Sequence, residues 1–250
     1  MTFPVYLSIG PWRVHPHLFF ETLSYFIAAR IYFWQRARTG DTLGYAQRMT
    51  IIAAAILGAA AGSKILFWFV DPGLTLKNWH HPAYLISGKT IVGALAGGLL
   101  AVEWMKRRIG VTRPTGDLFA IPLAAGIAIG RIGCFLTGLS DHTFGLPTQL
   151  PLGVDFGDGI LRHPVQIYEI LFMIALTIWL WRLGRKPHRE GELFKAFMVA
   201  YMGFRLVVDF LKPAVPFLGL TAIQWVCVAV LVYYRRDIPQ LFYGQEANRS

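Results

Sequence analysis

Charge is scarce in this 250-residue chain: Asp, Glu, Lys and Arg together make up only 15% of it. Acid is scarcer than base, with 14 Asp and Glu against 24 Lys and Arg, for a net charge of +10. A soluble domain of this length carries more charge and shorter apolar runs. Cysteine is nearly absent. The two present, Cys134 and Cys227, both lie in apolar runs, which excludes a disulfide framework and offers no metal-ligand spacing. Cys134 therefore reads as a small packing residue. The first residues, "MTFPVYLSIGPWRVHPH", lack a basic stretch followed by an apolar core, so no cleaved signal peptide is expected. No internal repeat or low-complexity segment is evident. A basic excess can mark a nucleic-acid binder, but here the basic residues cluster between apolar runs, which is the membrane pattern instead.

Apolar sequence is what the chain has in abundance: 55% hydrophobic residues and a mean hydropathy of +0.47. Seven runs approach the ~20 residues needed to cross a bilayer. They cover about 18–35, 49–70, 87–105, 118–138, 166–183, 194–212 and 217–234. The first and fifth are the weakest, because Glu21, Arg30, Gln166 and Glu169 interrupt them. The runs are continuous rather than alternating, so helices are expected and a barrel is not. Arg36, Arg38 and Arg48, then Lys106 to Arg108, then Arg182 to Arg189, then Arg235 and Arg236 mark every second connection. These loops belong in the cytoplasm, which puts the N-terminus outside and the C-terminus inside. The expected fold is thus all-α, a single polytopic membrane domain over 1–250. Its longest loop, 139–165, is rich in Gly, Pro and Asp and reads as an ordered extracytoplasmic loop or hairpin. Gly58/Gly62 and Gly93/Gly97 have the spacing of close helix packing.

Ionisable residues inside membrane spans are costly and point to function. With this orientation, His17, Glu21, Lys64, Lys89, Arg131, Tyr168, Glu169, Arg205 and Asp209 all fall in the outer half of the membrane. The inner half offers little beyond Arg30 and Glu103. Snorkelling would scatter charges at both faces; a polar cavity open to the outer leaflet explains a one-sided set. Arg205 and Asp209 are four apart and can instead simply pair. Arg131 has no partner within a helical turn of its own span. Four cations against three carboxylates favour an anionic ligand, and an arginine fork suits phosphate. In an outer leaflet that phosphate is a lipid headgroup.

The stretches "GRIGCFLTG", "RHPVQIYE" and "YMGFRLVVDF" together resemble the bacterial prolipoprotein diacylglyceryl transferase family, in the family's order and across most of the chain. The resemblance implies a seven-span inner-membrane protein. It also implies transfer of the diacylglyceryl group of phosphatidylglycerol to the lipobox cysteine thiol of a secreted prolipoprotein, releasing glycerol phosphate. The family's GRxGNF signature falls on Gly130, Arg131, Gly133 and Phe135, its essential arginine being Arg131. Cys134 stands at its asparagine, and Leu139 at a following acidic position, with Asp141 two residues on. Its HPxQxYE block is intact as His163, Pro164, Gln166, Tyr168 and Glu169. Its YxxFR block and later Glu appear as Tyr201, Phe204, Arg205 and Asp209. Lys64 stands for an arginine, Ser87 and Lys89 occupy the place of a histidine, and His17 that of a tyrosine.

This chemistry asks for a phosphate grip, a base for the thiol and stabilisation of the leaving group. The resemblance and the residue types assign the grip to Arg131 and Arg205, with Lys64 and Lys89 in support and no metal or cofactor. His163 and His142 are candidate bases, since imidazoles titrate near ~6.5. Glu169 is a further candidate, and Tyr201 orients the base or donates to phosphate. His163 is equally readable as a residue that orients the start of the fifth span. The rival reading is a non-catalytic protein on the same fold that binds anionic lipid or passes small solutes.

Overall fold

Each of the seven apolar stretches is helical in a computed structural model of the chain, which describes residues 3–243. In chain order the elements begin with a hairpin of β1 (Leu7–Ile9) and β2 (Trp12–Val14), followed by the long helices α1 (Pro16–Thr39) and α2 (Tyr45–Val70). Two short helices come next, α3 (Pro72–Asn78) and α4 (Pro82–Ser87), then α5 (Ile91–Arg108) and α6 (Asp117–Thr137). The strands β3 (Val154–Asp155) and β4 (Leu161–Arg162) precede α7 (Val165–Gly184), α8 (Glu192–Val208), α9 (Ala222–Tyr233) and α10 (Ile238–Tyr243). Among these, α2, α6 with the turn that extends it to Asp141, and α7 are long and apolar enough to cross a membrane, while α9 is a shorter apolar helix. The fifth stretch, weak on paper because of its polar start, is therefore one of the clearest. Leu57, Phe69, Leu100 and Leu171 are exposed on helix faces. Apolar faces of this extent match a lipid surround and not water. This is an all-helical membrane protein with two small hairpins.

Local sequence sets the boundaries. Pro16 opens α1 at a position where its missing N–H costs nothing, and Gly40, at φ 77°, ends it. Asp71 accepts from the backbone N–H of Leu74 at the start of α3. Thr221 and Gln224 form a reciprocal capping box at α9, which starts later than the sequence suggested.

The chain divides into two units. One comprises 1–40 and 115–213 and holds α1, α6, α7 and α8. Its core runs through Ala120, Ala124, Met173, Leu180, Phe197, Met198 and Met202, all buried. The 139–165 segment is ordered, as expected. A short 3-10 turn (Gly138–Asp141) follows α6, and β3 pairs antiparallel with β4. At the hairpin tip, Asp155 Oδ1 accepts from the N–H groups of Gly157, Asp158 and Gly159 at 2.7–3.1 Å.

The other unit comprises 41–114 and 214–250, with α2 and α5 packed through glycine. A Cβ added to Gly62 would lie 2.3 Å from the Gly93 carbonyl oxygen, and one on Gly58 would lie 2.5 Å from that of Gly97. The small residues thus serve backbone contact, as their spacing implied. In the same unit the buried Arg48 is ion-paired with Asp41 at 2.6 Å.

Candidate active site

Three helices of the first unit each turn one polar face inward. Gln166 and Glu169 are three apart on α7, and Tyr201 and Arg205 are four apart on α8, so each pair shares a face. Arg131 comes from the last turns of α6. Glu169 is the hub. Its Oε2 lies 2.8 Å from Arg131 Nε, while its Oε1 accepts from the Tyr201 hydroxyl at 2.6 Å and lies 3.7 Å from Arg205 Nη1. Arg205 Nη2 also donates to Asp209 Oδ1 at 2.6 Å, and Lys212 Nζ stands 3.9 Å from the same oxygen.

These charges are almost fully removed from solvent: Glu169 is 1% exposed, Arg205 and Asp209 are 3%, and Arg131 is 6%. Ionised groups persist at such burial only when paired, because desolvation costs several kcal/mol per ion. The pairing here is close but incomplete. The Nε–H groups of Arg131 and Arg205 are buried without an aligned acceptor, although Arg131 Nε is near Glu169. The Arg131–Glu169 contact is thus an ion pair and not a well-directed hydrogen bond. Two guanidiniums retain donor capacity at one place, which is what an anionic oxygen-rich group requires.

Beside this cluster lies a second. Gly133 lets α1 approach α6 closely, since a Cβ there would stand 2.9 Å from Phe20 Cβ and 3.2 Å from His17 Cα. His17 Nδ1 is consequently 2.7 Å from Asp141 Oδ1, and its Nε2 is 3.6 Å from Glu21. Asp141 Oδ2 accepts from the Thr143 hydroxyl at 2.6 Å, and Gln166 Nε2 donates to the same hydroxyl at 3.3 Å. A third pair joins the loop to the first turn of α7, where His163 Nδ1 and the Tyr168 hydroxyl are 3.3 Å apart. The backbone N–H of Gly145 donates to the His163 carbonyl at 3.0 Å, which fixes the approach to α7.

Several sequence readings need correction. Cys134 does not face an apolar surround: Arg131 Nη1 lies 3.7 Å from its sulfur, so Arg131 has a partner within a turn of its own helix after all. Nor is metal-type chemistry excluded by spacing, because Cys134, His17 and Asp141 come together from separate segments. Lys64 belongs to the second unit, where its ammonium donates to the carbonyl oxygens of Ile86, Ser87 and Gly88. That makes it a brace for the turn after α4. Ser87 and Lys89 lie in the same unit and are exposed, with the Ser87 hydroxyl donating to the Tyr84 carbonyl. His142 is exposed on a left-handed turn with φ 54°. Gly130 faces Ser24 Oγ at ordinary contact distance. Both oxygens of Glu169 are committed to partners, which fits a counter-ion better than a base. Thr143 and Lys212 were not singled out in the sequence; Lys212, three residues after Asp209, carried a spacing signal, and Thr143 carried none.

A family model of prolipoprotein diacylglyceryl transferase matches residues 4–234. The chain belongs to that family. The phosphatidylglycerol–prolipoprotein diacylglyceryl transferase of Bordetella parapertussis is 32% identical over 249 aligned positions, covering 92% of this chain and 91% of that protein. The protein of the same name from Polaromonas sp. is 29% identical over 255 positions, covering 92% and 90%. The one from Polynucleobacter asymbioticus is 33% identical over 213 positions, covering 79% of each. Family membership therefore extends through both units, and the Arg131–Glu169–Arg205 cluster lies within the matched region.

Proposed function

We propose that the chain transfers the diacylglyceryl group of phosphatidylglycerol to the lipobox cysteine of a prolipoprotein, with the lipid phosphate held between Arg131 and Arg205. The observation that carries this reading is the pair of buried guanidiniums with unaligned Nε–H donors on either side of Glu169. In the reaction, the acceptor thiolate attacks the glyceryl carbon bonded to the phosphate oxygen. A C–S bond forms, that C–O bond breaks, and its electron pair leaves on glycerol phosphate. The guanidiniums stabilise the charge arriving on the phosphate. Glu169 and Asp209 hold the two arginines in place, and Tyr201 fixes Glu169. His163 is the base for the thiol: Tyr168 engages Nδ1 and leaves Nε2 to take the proton.

The setting follows from the same reading. The seven apolar stretches of the sequence cross the bacterial inner membrane as one integral domain over 1–250, the N-terminus outside and the C-terminus cytoplasmic. Basic residues at alternate connections support that orientation. Family membership favours transfer over a non-catalytic lipid binder or solute pathway. The test is to incubate purified protein with phosphatidylglycerol and a lipobox peptide and to follow peptide mass. Addition of one diacylglyceryl unit to cysteine is expected. Unmodified peptide in the presence of folded protein, with solute flux across vesicles, would establish the rival.

A further inference from the structure

The cluster beside Arg131 carries donors of three kinds. A ring nitrogen of His17, the sulfur of Cys134 and a carboxylate oxygen of Asp141 lie within 4.8 Å of one another. They come from the start of α1, the end of α6 and the turn beyond it, so no local sequence spacing announces them. We propose that these three side chains bind a zinc ion, with a fourth position left open to water or another ligand. The donor set of imidazole, thiolate and carboxylate is the one that zinc favours, and three protein ligands with one open position is its usual non-structural arrangement.

The surroundings fit. His17 presents Nδ1 to the cluster, while Nε2 faces the Glu21 carboxylate at 3.6 Å, the outer partner that orients metal-binding histidines. Asp141 offers Oδ1, while Oδ2 is fixed by Thr143, itself bonded to Gln166. The two carboxylates and the thiol give the cluster a negative balance once the sulfur is deprotonated, and Arg131, whose Nη1 lies 3.7 Å from that sulfur, is ion-paired with Glu169. Entry is possible from the α1 side, because the His17 side chain is 36% exposed while that of Asp141 is 7% exposed. Bond lengths of about 2.0 Å to nitrogen and oxygen in a tetrahedron put those donors ~3.3 Å apart. The present 2.7 Å contact of His17 and Asp141 thus opens by roughly half an ångström on metal binding. The Cys134 thiol proton and any proton on His17 Nδ1 leave to solvent as the bonds form. This site rests on the donor set and is independent of the transfer reaction.

Cobalt reports it without any activity measurement. The full-length protein, purified in maltoside, stripped with chelator and kept reduced with a phosphine, is titrated with Co²⁺. A near-ultraviolet thiolate-to-cobalt absorption is expected, saturating at one equivalent and erased by Zn²⁺. Cys134→Ala abolishes it, Cys227→Ala preserves it, and His17→Gln and Asp141→Asn each weaken Co²⁺ binding by about tenfold or more. If Cys134→Ala does not fold, the latter two variants decide. Absence of the band in folded wild-type protein at saturating cobalt overturns the proposal. So does a band whose affinity is unchanged in both His17→Gln and Asp141→Asn.

Discussion

Removing Arg131 separates a phosphate grip from a structural counter-ion when it is combined with removal of Glu169. The buried cluster holds two guanidiniums and two carboxylates, with Lys212 at its edge. In Arg131→Gln, Glu169 and Asp209 still face Arg205 and Lys212, and Tyr201 still donates to Glu169. No buried charge is left uncompensated, so the folded protein is recovered at close to the wild-type yield. In Glu169→Gln, two guanidiniums and a lysine face Asp209 alone. Breaking a buried pair in that direction costs about 3–5 kcal/mol. The double variant sets Arg205 and Lys212 against Asp209, which restores the wild type's excess of one cation and recovers most of that loss. Activity follows a different order. Loss of one preorganised donor to a developing oxyanion costs about 10²–10³ in turnover, so Arg131→Gln and the double variant are both expected to be slow. Heat challenge followed by size-exclusion chromatography reads stability, and peptide lipidation reads rate. Lipidation restored in the double variant to near the wild-type rate would refute the phosphate grip and make Arg131 only a partner for Glu169.

Other expectations are narrower. Tyr201→Phe leaves a Glu169 oxygen without its 2.6 Å hydrogen bond; a loss of about 1–3 kcal/mol in stability is expected by thermal unfolding, with turnover reduced less than in Arg131→Gln. Gly62→Val drives a side chain into the Gly93 carbonyl, and overpacking of this kind costs about 1–3 kcal/mol or more, visible as a lowered melting temperature. The Asp158 carboxyl, hydrogen-bonded to Arg162 at 2.6 Å, is held below its ordinary value of 3.8. This pairing is intact above that value and lost as pH falls through the lowered one. Arg162→Gln is expected to raise the Asp158 carbon-13 titration midpoint towards 3.8, and an unmoved midpoint counts against the pair.

The sequence disclosed most of the helices, because hydrophobic runs of membrane length are a strong signal. It also disclosed the glycine seam between α2 and α5, since small residues four apart have few other uses in a membrane. Arg131, Glu169 and Arg205 were legible as companions because buried charge is costly enough to be purposeful, whereas Tyr201 entered only through the resemblance. Their pairing was not legible. Arg131 meets Glu169 across two helices, and depth along a helix says nothing about which neighbour shares the contact. The carbonyl partners of Lys64 were hidden for a related reason: a cation at the right depth looks alike in sequence whether it faces a ligand or the carbonyls that end α4. Cys134 was misread because its neighbours in sequence are apolar, whereas its neighbours in space arrive from α1 and the turn after α6.

The most direct measurement is of the phosphate itself. Arginine-nitrogen-labelled protein in maltoside, with no other phosphorus present, is given one equivalent of phosphatidylglycerol and studied by nitrogen–phosphorus dipolar recoupling. Two guanidiniums dephased by phosphorus in the wild type, and only that of Arg205 in Arg131→Gln, are predicted. Identical dephasing in the two proteins, with both folded and lipid-bound, would contradict a headgroup held by Arg131.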